Sequence, residues 1–91
     1  MVENMFILVI KKSAGKDLTR LPLKDRQRVR DAIQWLREEP WRGKKLGDNL
    51  AGYYAIRVWP YRIIYTIEKK IVTVTVVAIG HRKDVYRELV R

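Results

Sequence analysis

The sequence predicts an α+β fold of order β-α-α-β-β-β: a helical hairpin packed on one face of a four-stranded, mainly antiparallel sheet, with a short helix at the C-terminus. Three observations predict it. A short apolar run opens the chain, two stretches with helical spacing of apolar residues follow, and three β-branched and aromatic runs joined by very short connections fill the C-terminal half. Strands joined so tightly must be antiparallel, because a parallel crossover needs a dozen or more residues. Helices segregated to one face of such a sheet give the α+β layer pair.

Residues 5–10, "MFILVI", form a continuous apolar run that reads as a buried first strand. Ser13 then caps a helix whose Ala14, Leu18 and Leu21 fall on one face. After Pro22, the stretch from Leu23 to Glu38 carries Val29, Ala32, Ile33 and Leu36 as one apolar stripe, with Arg26, Arg28, Arg30, Asp31 and Arg37 largely off it. Pro40 disfavours helical geometry at Glu39 and ends that helix. The segment "PWRGKKLGDNLAG" reads as a loop punctuated by Gly43, Gly47 and Gly52. Beyond it, "YYAIRVW", "YRIIYTI" and "KIVTVTVVAI" are strands, broken at Trp59-Pro60 and at Glu68-Lys69-Lys70.

Length confines this to a single domain spanning residues 1–91, since a chain of 91 residues closes one core. There is no cysteine, so disulfides and thiolate metal sites are excluded, and with one histidine a zinc site is not expected. Neither a metal nor an organic cofactor is implied. The opening apolar run is too short for a signal peptide or for the ~20 residues of a membrane span, so a soluble, cytoplasmic protein without membrane association is expected. Twenty Lys and Arg against ten Asp and Glu give a net charge of +10, which favours nucleic acid, an acidic protein partner, or both. The excess is spread along the chain, so charge alone does not locate a site.

Strand alternation does. If Trp59-Pro60 is a two-residue turn, Val58 pairs with Tyr61 and Arg57 with Arg62. Tyr54, Ile56, Val58, Tyr61, Ile63, Tyr65 and Ile67 then face the helices, leaving Ala55, Arg57, Arg62 and Thr66 on the open face. Directly opposed like charges destabilise a strand pair, so an anion, above all a phosphate held by guanidinium forks, is what repays the arrangement. Trp-Pro is an unusual hairpin tip and points to a cis bond or a longer loop.

These residues resemble a known family. The element order, the helical hairpin "LPLKDRQRVRDAIQWLREEP", the strand pair "YYAIRVWPYRIIY" and the terminal "IGHRKDVY" together look like the RelE branch of the RelE/ParE toxin superfamily, over residues 5 to 87. The resemblance implies the toxin half of a toxin–antitoxin pair. That branch cleaves messenger RNA in the ribosomal A site without a metal, arresting translation, and its partners are the ribosome, the mRNA and a cognate acidic antitoxin. By position, Arg62 matches an arginine that binds the scissile phosphate, Arg82 a second arginine of that site, and Tyr86 a tyrosine that stacks on or orients the substrate. Arg57 falls where the family has a basic residue on the preceding strand.

Two departures stand out. A lysine credited with general-base work in some members corresponds to Ala55, and "VWPYR" replaces the more usual Gly-Asp before Tyr-Arg. Transesterification needs a base for the 2′-hydroxyl, stabilisation of the phosphorane charge and a proton for the leaving oxygen. With position 55 empty, His81 is the base the sequence offers, histidine being the side chain that ordinarily titrates near ~6.5. In an extended segment His81 and Arg82 point to opposite sides, so a bend after Gly80 is needed to bring both into one site. Lys44, Lys45 and Trp59 are expected as further substrate contacts, the indole by stacking on a base. Trp35 reads as core or partner-facing. Two other functions stay open: a ParE-like gyrase inhibitor, against which "GHRKDVY" argues, and a catalytically weak nucleic-acid-binding relative, which Ala55 favours.

Overall fold

The structure, a computed structural model, describes residues 5–89. Strand β1 (Ile7–Ile10) leads into α1 (Lys12–Thr19) and α2 (Leu23–Leu36), a 3₁₀ turn at Pro40–Arg42, and then β2 (Lys44–Lys45), β3 (Tyr54–Val58), β4 (Tyr61–Glu68), β5 (Thr73–His81) and the short α3 (Val85–Leu89). The sheet has five strands in the order β1-β5-β4-β3-β2, with β1 parallel to β5 and every other pairing antiparallel. The fold class is thus as expected, but the strand number is not. Lys44 and Lys45, expected within a loop, pair with Ala55 and Tyr54 as a two-residue edge strand. Lysines suit that place, because charge on an edge discourages pairing with other chains. No helix among the described residues is long and apolar enough to cross a membrane.

Two further expectations are corrected. Ser13 lies inside α1, whose N-cap is Lys11, and no side chain caps that end. β1 is not buried: Leu8 packs into the core while Ile7 and Val9, on the other face, are exposed because an edge strand of a two-layer fold is covered on one face only, and Ile10 at the strand's end is exposed as well. The helical stripes behave as read. Ala14 and Leu18 of α1 and Val29, Ile33 and Leu36 of α2 are buried against Tyr61, Ile63, Tyr65, Val74, Val76 and Ile79 of the sheet. Arg26 closes the helical hairpin by donating from Nη2 to the carbonyls of Thr19 and Leu21, at 3.0 and 3.1 Å.

The opposite face carries a second, smaller core in which Ala55, Ile64, Ala78 and Val85 are buried, with Tyr86 and Leu89 beside them. Val85 therefore docks α3 on the face that alternation had left open. One irregularity shapes this face. Between Ile64 and Tyr65 the β4–β5 register slips by one residue, with Ile64 opposite Ala78 and Tyr65 opposite Val76, so Val77 is an extra residue in β5. Asp17 reaches across from α1 to accept the Ile79 N–H at 3.3 Å.

Candidate functional site

Arg57 and Arg62 stand directly opposite each other across the β3–β4 pair, with Val58 opposite Tyr61. The two-residue turn does form, and its Trp59-Pro60 bond is cis. On the same face Lys44 of β2 lies opposite Ala55 of β3. α3 brings Tyr86 over the sheet, where Arg62 Nη1 donates a hydrogen bond of 2.9 Å to the phenol oxygen, and the guanidinium carbon is 5.6 Å from the ring centre. Lys44, Ala55, Arg57, Arg62 and Tyr86, together with Arg42 and Gly43, line one open cleft of ≈ 290 Å³.

Charge in the cleft is unbalanced. Among the described residues the ion pairs are Arg28–Asp25, Arg42–Glu39 and Arg87–Asp84, so Lys44, Arg57 and Arg62 have no carboxylate partner there. Three cations converging on a concave surface make a receptor for an anion, and the Arg62–Tyr86 bond holds one of the forks in a fixed plane.

The wall that carries Lys44 is fixed from the core. Tyr65 is fully buried, donates its hydroxyl to the Pro40 carbonyl at 2.8 Å and accepts the Gly43 N–H at 3.0 Å. A Cβ on Gly43 would collide with the Tyr65 hydroxyl, so only glycine lets the chain pass this close. Burial pushes the Tyr65 phenol up to about 12, which keeps it a neutral donor and acceptor.

The remaining sequence-predicted residues lie elsewhere. His81 pairs with Tyr61, whose side chain is in the helix-side core, and the two rings meet edge to face at 5.6 Å. His81 is therefore across the sheet from Arg62, which is opposite Gly80. Arg82 donates its N–H to the Pro60 carbonyl at 3.1 Å and lays its guanidinium 4.8 Å from the Trp59 ring centre, at the hairpin tip. Around that tip Arg28 Nη2 donates to the Trp59 carbonyl at 2.8 Å and Tyr61 donates its hydroxyl to Asp25 at 2.7 Å. The hydrogen bond to Asp25 is the main reason the Tyr61 phenol titrates above its ordinary value. Lys45, opposite Tyr54, shares the helix side and not the cleft. Trp35 is half exposed beneath Arg42, whose guanidinium sits 4.0 Å from its ring centre. Arg42 itself is a cleft residue that the sequence reading missed; its place two residues before Lys44 was the available signal.

A chain of this sequence and fold has known counterparts. Residues 8–86 match the family model of the ParE toxin of type II toxin–antitoxin systems, parDE. Toxin RelG of Mycobacterium tuberculosis is 38% identical over 77 residues, which span 82% of this chain and 88% of that protein. The chain belongs to the RelE/ParE toxin superfamily. Among solved RelE/ParE structures, the toxin–antitoxin complex RelBE2 from Mycobacterium tuberculosis is similar at 32% identity and a TM-score of 0.79, over 86% of this chain and 99% of that one. A mutant of the E. coli toxin RelE in the free state shares the fold at 24% identity and a TM-score of 0.77, over 92% and 93% of the two chains. The archaeal RelE–RelB complex from Pyrococcus horikoshii does so at 24% identity and a TM-score of 0.75, over 86% and 96%.

Proposed function

We propose that this toxin is a ribosome-dependent endoribonuclease that cuts messenger RNA in the A site and so arrests translation. The observation that carries the reading is the facing pair Arg57 and Arg62, without carboxylate partners among the described residues, beside a tyrosine that Arg62 holds by a hydrogen bond. A strand pair that opposes two guanidinium groups gives up stability for them, and a phosphodiester in the cleft recovers it. In this reading Arg62 binds the scissile phosphate and stabilises the phosphorane charge, Arg57 assists, and Tyr86 orients Arg62 and flanks a base or ribose. Arg82, Trp59 and His81 at the hairpin tip contact the RNA or its surroundings away from the reacting phosphate. Lys45 adds to the positive field. No metal enters the scheme.

A chain with net charge +10 also needs a restraint when idle. The relatives solved as toxin–antitoxin complexes support a cognate antitoxin here, acidic and covering the cleft or displacing α3. The distance of His81 from the cleft and the alanine at position 55 favour one other reading, a toxin that acts by binding alone, as a gyrase inhibitor or a catalytically weak RNA-binding relative. Induction in a bacterial host followed by primer extension on translated transcripts decides between them. Codon-phased cuts that disappear with Arg62→Ala support the nuclease; toxicity that survives Arg62→Ala, with no cuts, refutes it.

A further inference from the structure

In-line transesterification needs a proton at the departing 5′ oxygen, because an alkoxide leaves poorly from phosphorus at neutral pH. The cleft restricts which side chain can give it. Arg42, Arg57 and Arg62 cannot, since a guanidinium does not release its proton in a protein. Tyr86 accepts a hydrogen bond from Arg62 and keeps its own hydroxyl proton, but that bond ties its oxygen to the fork that holds the phosphate. His81 is on the other face of the sheet. The other proton carrier lining the cleft is Lys44, on a strand the sequence did not reveal and with no hydrogen bond to Arg62.

We infer that Lys44 is the general acid of the RNA-cleaving site, an inference that rests on the nuclease reading above. Lys44 is directly across β2–β3 from Ala55, which places their Cβ atoms roughly 4.5–5.5 Å apart on one face. The methyl of Ala55, buried, leaves the volume beside it to the lysine stem, and both residues line the same cleft as Arg57 and Arg62. A two-residue strand is a weak anchor by itself. Here the Tyr65 hydroxyl grips the backbone on either side of Arg42, at Pro40 and Gly43, and so fixes the residue next to Lys44. A lysine ammonium has three donors and is protonated at neutral pH, which suits an acid better than a base.

In the step, the 2′ oxygen forms a bond to phosphorus as the bond from phosphorus to the 5′ oxygen breaks. The 2′-hydroxyl proton passes to water. Lys44 Nζ gives its proton to the 5′ oxygen and regains one from water, leaving a 2′,3′-cyclic phosphate and a free 5′-hydroxyl.

Single-turnover cleavage of a synthetic mRNA on the ribosome, at saturating toxin, tests this. Lys44→Ala is expected to slow cutting by ~10²–10³-fold, and Lys44→Arg, which keeps the charge but not the transferable proton, by a similar factor. An mRNA with sulfur in place of the bridging 5′ oxygen leaves as a thiolate without protonation, and on it Lys44→Ala should cut within ~10-fold of the unaltered toxin. Adding Ala55→Lys to Lys44→Ala should recover part of the rate from across the strand pair. Lys44→Ala or Lys44→Arg cutting within ~3-fold of the unaltered toxin, or no rescue by sulfur, overturns the inference while leaving the nuclease intact. Absence of cutting by the unaltered toxin overturns the nuclease reading first, and the inference with it.

Discussion

The β3–β4 hairpin carries two clusters of cations and aromatics, one on each side of the sheet, and they differ in whether their polar groups already have partners. At the tip, Asp25 takes both the Tyr61 hydroxyl and the Arg28 guanidinium, Arg28 also holds the Trp59 carbonyl, and Arg82 lies on the Trp59 ring. In the cleft, Arg57 and Arg62 oppose each other and Lys44 lines the same surface, and among the described residues the polar side-chain counterpart is the Tyr86 hydroxyl on Arg62. Tyr61 and Arg62 are adjacent in sequence, yet strand alternation sends one to each cluster. The lesson is that charge density does not mark a site; cations gathered in one cleft without a carboxylate among the described residues do. Arg28 is committed to Asp25 and the Trp59 carbonyl, whereas Arg57 and Arg62 have no carboxylate partner among the described residues.

The widest separation between the two clusters should appear in cleavage. Arg62→Ala is expected to lower the single-turnover rate on ribosome-bound mRNA by ~10²–10³-fold, the usual cost of removing one preorganised donor to a developing oxyanion. Arg82→Ala should lower affinity by ~10-fold or less and become milder as salt is raised, as for a contact that reads only polyanion charge. For His81→Ala a change under ~3-fold is expected, because the imidazole lies against Tyr61 on the far face. A His81→Ala loss as large as that of Arg62→Ala would erase the distinction and require the terminal segment to rearrange on the ribosome.

Next in size is the support beneath the cleft. Tyr65→Phe leaves the Gly43 N–H and the Pro40 carbonyl without their buried partner and should cost about 1–3 kcal/mol in urea unfolding. The same residue sets an alkaline limit. Its phenol is pushed up to about 12 in the folded chain, so its contribution is fully present below the ordinary tyrosine value near ~10 and is lost as pH rises from there through about 12. Unfolding free energy measured across that window should fall less steeply in Tyr65→Phe. The matching change at the tip, Tyr61→Phe, removes a single bond to Asp25 and should cost about 1 kcal/mol with cleavage unchanged.

How much of this was legible depends on how each feature is specified. The facing arginines were legible because a two-residue turn fixes the β3–β4 register, and register fixes faces. The helical stripes at Val29, Ile33 and Leu36 were legible through their period. β2 was not, since Lys44 and Lys45 are too few to show any alternation and pair only because the chain passes the edge of β3. The side taken by His81 depended on the extra residue at Val77. Continued without that bulge, the pairing of Tyr65 with Val76 would put Gly80 opposite Tyr61 and turn His81 to the Arg62 face. Nothing in "KIVTVTVVAIGH" marks which valine is the extra one, so a one-residue irregularity moved the expected base out of the site. The facing arginines of the cleft were therefore readable from the hairpin, while Arg42, the pairing of Lys44 and the side taken by His81 were not.

The smallest effect carries the sharpest sign. Arg57 faces Arg62 in a directly opposed pair, where like charges cost a fraction of a kcal/mol. Replacing Arg57 with threonine, a residue that suits an exposed strand position, should raise the stability of the free toxin by about 0.2–1 kcal/mol while slowing cleavage. The gain should shrink at high salt, since screening weakens the repulsion that the substitution removes. At the tip the sign reverses. Arg28→Thr gives up the bond to the Trp59 carbonyl and the exposed ion pair with Asp25, and should lower stability by about 1 kcal/mol with cleavage unaffected. Paired denaturant curves at low and high salt measure both. If Arg57→Thr proves destabilising, then the two guanidinium groups are compatible in the free protein, their pairing implies no anion, and the physical ground for placing the phosphate between them is gone.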